Sequence, residues 1–294
     1  AVAITACSSV MGVIIPPSIL MIVWGGLMSV SIGGLFLAGV VPGFLMAVFM
    51  MSTVLVYAKI RNYPIYQRAS FKEFFSAFGQ ASFALVTPAI IVGGIVFGLF
   101  TPTEASVVAV IYSALLGGLI YRKIGIKEFP KVLYDSARLA AISLFCIGTA
   151  SAFGWLLAYY RVPQELVNFL AGYGTGIITT GIMVALAFLI IGMFIDAIPA
   201  IIILGTILLP LATKVGMHPI HFAIIGVISL AFGLVTPPYG LCLLISCALG
   251  KIKVVDAIKD VAIILIPMLI LLILVILFPE MILFLPRWLT PEFL

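Results

Sequence analysis

Residues 221–250 form an apolar stretch that is long enough to cross a bilayer but is interrupted near its middle. Gly233 and the Thr236-Pro237-Pro238 triplet stand at the interruption. Proline has no backbone N–H and cannot continue the preceding helix, so we expect the helix to stop near Gly233 and restart near Pro237. Backbone groups freed at membrane depth are tolerated only where protein, water or a ligand satisfies them. The pattern therefore predicts a broken membrane helix whose freed backbone groups are satisfied by protein, water or a bound ligand.

The opening of the chain repeats this pattern. Residues 1–27 align with 222–248 without a gap, and both segments read Ser-x3-Gly-x3-Pro-Pro. The matched positions are Ser8 with Ser229, Gly12 with Gly233, and Pro16-Pro17 with Pro237-Pro238. Shared aliphatic residues mean little in membrane sequences, but this spacing found twice is specific. A pair of interrupted membrane helices is the usual sequence indication of a transporter's binding site.

The composition places the whole chain in a membrane. Hydrophobic residues make up 64% of it and charged residues only 9%, and the apolar runs exceed the roughly 18 residues that suggest a spanning helix. The net charge of +5 is therefore interpreted as a determinant of membrane topology and of contact with lipid headgroups, not as a sign of nucleic-acid binding. The four cysteines fall in apolar segments without CxxC spacing, which favours inert buried thiols over a redox or metal site.

Lysine and arginine gather in three short stretches, and short loops rich in these residues stay cytoplasmic. The stretches are Lys59, Arg61, Arg68 and Lys72; Arg122, Lys123, Lys127, Lys131 and Arg138; and Lys251, Lys253 and Lys259. With all three inside, residues 1–27 run outward. Residues 176–250 must then cross the membrane a net single time, from the outside inward.

That requirement decides how residues 176–213 are interpreted. They read as two short helices interrupted at Gly192–Pro199. If each half crossed fully, Lys251 would end outside, against the charge rule. We therefore predict a re-entrant hairpin that enters and leaves on the outside, with its tip near Asp196.

The matching segments 1–27 and 222–248 then run in opposite directions, which makes them an inverted-topology repeat. The repeat also predicts a first hairpin just before Ala1, a segment that this sequence does not contain. The predicted fold class is an all-α polytopic membrane protein with inverted repeats, a re-entrant hairpin and proline-broken helices.

Asp196 is the only carboxylate within residues 176–250 and falls at the predicted tip. A charged group at membrane depth is costly and is a functional candidate by default. The alternative is a helix N-cap, since Asp196 precedes a new helical run and can accept its amides. The two roles are compatible. Glu104 has a similar alternative, because Thr101-Pro102-Thr103-Glu104 reads as a capping box, and for Glu104 we favour the structural role.

The broken helices carry neutral oxygens suited to a small hard cation. The side-chain candidates are Ser8, Ser9, Ser229 and Thr236, and Gly12, Gly192 and Gly233 permit sharp turns and close backbone approach. A serine in a membrane helix often only bonds the preceding turn, which is the alternative here. The amides freed near Ser18 and Tyr239 are candidates to receive a substrate carboxylate. With Asp196 and the Pro237-Pro238 turn they make the predicted substrate site.

Enzyme functions find little support in the sequence. His218-x2-His221 lacks the glutamate and spacing of a zinc protease motif. An intramembrane aspartyl protease needs two carboxylates that share a proton, and Asp196 has no evident partner. The sequence holds neither a Walker A nor a GxGxxG motif.

Four stretches together resemble one family, the large membrane subunit of tripartite ATP-independent periplasmic (TRAP) transporters of the DctM type. They are TACSSVMGVIIPPSI (5–19), GGIVFGLFTPTEAS (93–106), GMFIDAIPAIIILGTILLPLATKVGMHPIHF (192–222) and GLVTPPYGLCL (233–243). They cover most of the chain in the family's order. Against the family's length, the sequence resembles the C-terminal two thirds, without the first helices and first hairpin. Because that hairpin would supply ligands to the first sodium site, we do not expect this fragment alone to transport.

The resemblance implies a sodium-driven symporter of the bacterial inner membrane for organic acid anions such as C4-dicarboxylates or sialic acid. It implies a small four-helix membrane subunit, a periplasmic substrate-binding protein, and sodium as coupling ion without other cofactors. It implies no enzymatic activity and no nucleic-acid partner.

The family is similar in fold to elevator transporters, in which hairpins and broken helices form a moving domain. By that likeness, residues 1–27 and 161–250 belong to the transport domain, residues 28–160 to scaffold and connecting helices, and residues 251–294 to a C-terminal scaffold helix. The family's first sodium region maps to Ser8, Ser9 and Gly12, and its second to Gly192, Gly233, Thr236 and the Tyr239 carbonyl. Ser229 departs from the family, which often has Asn there.

Two alternatives stay open. An elevator transporter that works without a binding protein would need no partner. A non-transporting membrane enzyme or scaffold would act without an ion gradient. Neither explains the paired Pro-Pro breaks together with the TPTEA stretch.

Overall fold

The computed structural model describes residues 1–63, 69–123, 125, 127–162, 164, 165, 168 and 176–291. Every regular element in these ranges is a helix, and seven helical stretches, three of them made of successive elements, are long and apolar enough to cross a bilayer. The chain is thus an all-α polytopic membrane protein, as the sequence predicted. Arg68 of the first basic stretch lies outside the described residues, as do several residues between 161 and 175 at the start of the predicted third segment.

The helices follow one another as α1 (Val2–Ser9), α2 (Met11–Ile14), α3 (Ile19–Met28), α4 (Ile32–Ile60), α5 (Phe71–Val96), α6 (Pro102–Leu115), α7 (Phe129–Tyr159), α8 (Ile177–Gly192), α9 (Ala197–Ala200), α10 (Thr206–Lys214), α11 (Pro219–Gly233), α12 (Leu241–Gly250), α13 (Val254–Leu277) and α14 (Pro279–Leu289). Two π-helical stretches extend α6 (Leu116–Ile120) and join α9 to α10 (Ile201–Gly205). The chain divides into two compact units, Ala1–Tyr57 with Leu144–Leu294, and Ala58–Ser143.

Helix α11 is the centre of the larger unit. Every residue from Ile220 to Gly233 is buried, because α8, α3, α13 and α14 surround it. Trp24 of α3 is fully buried; its ring is tilted against Phe188 at a centroid distance of 5.4 Å and meets Phe222 edge-to-face at 5.3 Å. A Cβ at Gly226 would lie 2.3 Å from the Trp24 ring, so that only glycine lets the indole reach α11.

The two broken helices lie side by side in opposite directions. The first half of one, α1, packs against the second half of the other, α12, and α3 packs against α11. A Cβ at Gly250, the end of α12, would meet a Val2 methyl carbon at 2.4 Å. This start-to-end pairing is the antiparallel arrangement that the inverted repeat predicted.

Helices α8 to α10 form a hairpin along α11. Near its open end, Gly181 faces Met217 and Ile276, and the Met217 amide donates to the Ala212 carbonyl at 3.0 Å. At its tip, Gly192 rests against Leu230. The hairpin tip therefore lies beside the break in the second broken helix; that the hairpin is re-entrant in the membrane stays a prediction. By length and composition alone Ala197–Lys214 is also long enough to span.

The smaller unit contains α5, α6 and the first half of α7. Helices α5 and α6 pack together, and the Tyr112 hydroxyl donates to the Phe83 carbonyl at 2.8 Å. The predicted capping box of Thr101 with Glu104 is confirmed at the start of α6, and a second one, Ser70 with Glu73, begins α5. The Glu104 carboxylate accepts from the Thr101 amide at 2.8 Å, so its contacts are those of a cap.

Candidate functional site

The first break lies between α2, which ends at Ile14, and α3, which begins at Ile19. Ser18 is buried and is the N-cap of α3: its Oγ accepts from the Met21 amide at 3.4 Å and donates to the Val13 carbonyl. The hydroxyl thus ties the two halves of the broken helix together. The hydroxyl's donor and one of its acceptor positions are both used within the broken helix. Ser18 therefore serves mainly to fix the geometry of the break and has little capacity left to bind a ligand.

The second break is longer. Helix α11 ends at Gly233 as predicted, but α12 begins at Leu241, four residues beyond the predicted restart at Pro237. The intervening chain turns, with the Thr236 amide donating to the Gly233 carbonyl at 3.0 Å and the Cys242 amide to Leu234 at 2.9 Å. Gly240 precedes α12 with a φ of +43°, a conformation that favours glycine. Both Pro–Pro bonds of the two breaks are cis.

Some backbone oxygens at the second break remain available. The carbonyls of Val235, Thr236 and Tyr239 accept no backbone amide from the residues that the structure describes. The Thr236 hydroxyl donates to the Phe232 carbonyl at 2.7 Å and keeps its acceptor capacity. Free carbonyls and a hydroxyl are ligands that a small hard cation prefers.

Gly192 and Gly233, both predicted near the second sodium region, are brought into direct backbone contact. A Cβ at Gly233 would lie 2.6 Å from the Gly192 carbonyl carbon and 2.9 Å from the Leu189 oxygen. The hairpin and α11 therefore touch where neither has a side chain. The close approach is a packing requirement, whether or not an ion also binds there.

A cavity of about 320 Å³ joins the first break to the hairpin tip. Of the predicted site residues it is lined by Gly12, Ser18 and Asp196. Pro17 of the first Pro-Pro pair also lines it, and the rest of its wall comes from residues that the sequence did not single out: Val13, Ile19, Leu20, Ala197, Ile198 and Leu234. Aliphatic residues at a site carry no chemical signal in an apolar sequence, so that only the fold identifies them.

Asp196 stands at the N-cap position of α9, but its side chain makes no capping hydrogen bond. Among the described residues nothing donates to or pairs with its carboxylate, which is exposed toward the cavity it lines. The capping interpretation therefore finds no support in the geometry. A carboxylate without a protein counter-ion beside a cavity is suited to attract a cation.

The remaining predicted residues lie elsewhere. Ser8 and Ser9 are exposed and donate to the Thr5 carbonyl at 3.2 Å and the Ala6 carbonyl at 2.7 Å, the bonds of ordinary helical serines. Ser8 lines a different cavity of about 420 Å³, against Met50 and other apolar residues of α4. Thr236 and Pro237 are half-buried at the second break, and Pro238 and Tyr239 are exposed there.

The two histidines, His218 and His221, have structural roles, because both make hydrogen bonds to the backbone. His218 caps α11 by accepting the Ile220 amide at Nδ1, 3.2 Å away, and His221 bonds the Val275 carbonyl through Nε2 at 2.9 Å. Burial, helped by the Arg287 charge, lowers the pKa of His218 below its ordinary value. The described residues hold no group of three His, Cys, Asp or Glu side chains placed to bind a metal.

Two antiparallel broken helices, with a cavity between the first break and a neighbouring helical hairpin, are features found in many secondary transporters. The comparisons with known proteins are more specific. Residues 1–281 match the family described as "Tripartite ATP-independent periplasmic transporter, DctM component". The chain belongs to this family, and it is a multi-pass protein of the bacterial inner membrane.

Several relatives are similar over nearly the whole chain. The sialic acid TRAP transporter large permease protein SiaM of Vibrio cholerae is 33% identical over 97% of this chain and 66% of its own length. The C4-dicarboxylate protein DctM of Pseudomonas aeruginosa is 36% identical over 95% and 65%. The 2,3-diketo-L-gulonate protein YiaN of Escherichia coli is 32% identical over 99% and 68%. This chain thus spans about two thirds of the length of such relatives.

Proposed function

We propose that the chain is part of the membrane subunit of a sodium-coupled symporter that imports an organic acid anion. A periplasmic binding protein would deliver the anion, and a small four-helix membrane subunit would complete the membrane complex. Membership of the family supports this proposal. So do relatives whose names specify sialic acid and C4-dicarboxylates as substrates.

One structural observation carries the proposal: the cavity that brings the first break, the hairpin tip and Asp196 together. The charge inside it is negative, so an anion alone would be repelled. A sodium ion held near the carboxylate would cancel that repulsion and thereby couple anion binding to the sodium gradient. The energy for uptake would then come from sodium, without ATP.

We assign the sodium ions to the two breaks. The first region comprises Ser8, Ser9 and Gly12, and the second comprises Gly192, Gly233, Thr236 and the Tyr239 carbonyl. The free carbonyls at the second break support the second assignment. For the first, only Gly12 borders the cavity, so that its carbonyl is a better candidate than either serine hydroxyl.

The substrate would lie in the cavity, beside Ser18 and Asp196. The Pro237-Pro238 turn does not line that cavity and would contribute only where the substrate extends toward the second break. In an elevator mechanism the two broken helices and the hairpin would move together, while α13 and the connecting helices serve as scaffold. The antiparallel packing of α1 on α12 and α3 on α11 supports a single moving body.

The test is uptake into proteoliposomes that contain the full-length subunit, its small subunit and the binding protein. A panel of labelled carboxylates is screened with an inward sodium gradient. We expect uptake of one class of organic acid that disappears when potassium replaces sodium. Uptake that persists without a sodium gradient would refute the coupling, and uptake that needs no binding protein would favour the partner-independent elevator transporter.

A further inference from the structure

The first break has a second neighbour besides the cavity, namely helix α4. Gly39 and Gly43 of α4 are both buried. A Cβ at Gly39 would lie 2.7 Å from the Ile14 carbonyl oxygen and 2.6 Å from the end of the Met21 side chain. A Cβ at Gly43 would lie 2.6 Å from Cγ1 of Ile15. The helix therefore touches the broken segment where α4 has no side chains.

The contacted residues are those at which the helix breaks. Ile14 is the last residue of α2, and Ile15 turns to extended backbone with φ −78° and ψ 127°. Their immediate neighbours Gly12, Val13, Pro17 and Ser18 line the cavity. The broken segment is thus held between the cavity on one side and the glycine face of α4 on the other.

We propose that Gly39 and Gly43 are positioning residues, which fix the backbone of the first break and thereby set the transporter's apparent affinity for sodium. The inference rests on the proposed function and adds α4, assigned above only to the scaffold, to the elements that shape the site. Pressure on Ile14 or Ile15 would move Val13, whose carbonyl is tied to the Ser18 hydroxyl. That bond links the α4 contact to the cavity wall.

The two glycines differ in what an added methyl group would meet. At Gly39 the obstacle includes a backbone oxygen, so the break itself must shift. At Gly43 the nearest obstacle is a side-chain carbon of Ile15, and its Cα is 3.7 Å away, so a change of that side chain can relieve the clash. The geometry therefore predicts that Gly43→Ala can be rescued by trimming Ile15, whereas Gly39→Ala cannot be rescued by trimming Met21.

The experiment uses the complete transporter in proteoliposomes, with the binding protein, and measures the sodium concentration for half-maximal uptake and the maximal rate. We expect Gly43→Ala to raise that sodium concentration at least threefold, and Ile15→Ala added to it to restore the value to within about twofold of Ile15→Ala alone. Gly39→Ala should raise it further, and Met21→Ala should not reverse the change. Gly26→Ala is the control, because a Cβ there meets nothing within 4 Å.

Thermal unfolding of each variant separates positioning from plain loss of stability. If Gly39→Ala does not fold, the Gly43 and Ile15 pair still decides the question. A Gly43→Ala variant that loses thermal stability but keeps the wild-type sodium dependence would overturn the proposal, as would a shift that Ile15→Ala leaves unchanged. Wild-type uptake without sodium dependence would instead refute the proposed function, so the two failures are distinguishable.

Discussion

The two breaks share one sequence pattern but occupy different surroundings. At the first, Gly12 has no atom within 4 Å of its missing Cβ and borders the cavity. At the second, the matching Gly233 is pressed against the backbone of Gly192. The matching serines differ too, since Ser8 is exposed and Ser229 is fully buried. A repeat in sequence therefore sets where a helix breaks, whereas neighbouring elements decide whether the break is open to a ligand or packed.

The strongest test of this difference is to add one methyl group at each matched glycine. Gly233→Ala should destabilise the protein by about 3 kcal/mol or prevent folding, since both neighbouring groups are backbone and cannot move aside. Gly12→Ala should leave stability within about 1 kcal/mol of wild type, because alanine favours the helix and the space is open. Thermal unfolding and the yield of folded protein measure both. Equal effects at the two positions would contradict the comparison.

The second test concerns the charge at the open break. Asp196→Asn should keep expression and thermal stability near wild type, because the side chain makes no capping bond that could be lost. We expect sodium-coupled uptake to weaken at least several-fold, since Coulomb interactions strengthen as water is excluded. Initial uptake rates at limiting sodium measure this. Near-normal rates would show that the Asp196 charge has no part in sodium-coupled uptake.

The restarts of the two broken helices also differ, because Ser18 caps α3 with its side chain whereas Gly240 gives α12 no side-chain cap. Ser18→Ala should cost about 1 kcal/mol of stability through the lost cap. Ser18→Thr, which keeps both the capping oxygen and the hydroxyl donor, is the matched control for stability. If Ser18→Ala unfolds at the wild-type temperature, the cap contributes nothing to the first break.

At the second break, Thr236→Ala removes a hydroxyl but leaves both prolines and the backbone carbonyls. We expect a few-fold rise in the sodium concentration for half-maximal uptake, with folding largely kept. Thr236→Ser should stay near wild type, since it retains the oxygen. An unchanged sodium dependence in the alanine variant would remove the Thr236 side chain from the site.

The smallest effect concerns the start of the second broken helix, where His218 provides a cap that depends on pH. The cap needs a neutral Nδ1, and the folded protein lowers the pKa of His218 below its ordinary 6.5. Its stabilisation is therefore present above pH 6.5 and is lost as the pH falls, by up to about 1 kcal/mol. Unfolding temperatures between pH 8 and pH 5 should show this decline, and His218→Asn should flatten it. A decline of equal size in His218→Asn would assign it to other groups.

The sequence predicted those features that depend on local chemistry. Proline interrupts a helix wherever it stands, so that both breaks, their Ser-x3-Gly-x3-Pro-Pro spacing and the opposite direction of the repeats followed from residue order and charge. The capping box at Thr101 followed from side-chain reach within one turn. The restart of α12 at Leu241 did not, because the turn after Pro238 depends on Gly240 adopting a positive φ.

Residue order alone determined that the chain crosses a membrane with two broken helices and a hairpin, since hydrophobicity, proline and positive charge act locally or on the scale of a bilayer. Only the tertiary structure decided which matched residues meet. In the folded protein Gly233 contacts the Gly192 backbone, whereas Gly12 faces open space. The Asp196 side chain makes no capping bond, and Ile198 and Leu234 line the cavity. These outcomes depend on contacts between segments far apart in sequence, where one methyl group separates a close fit from a clash.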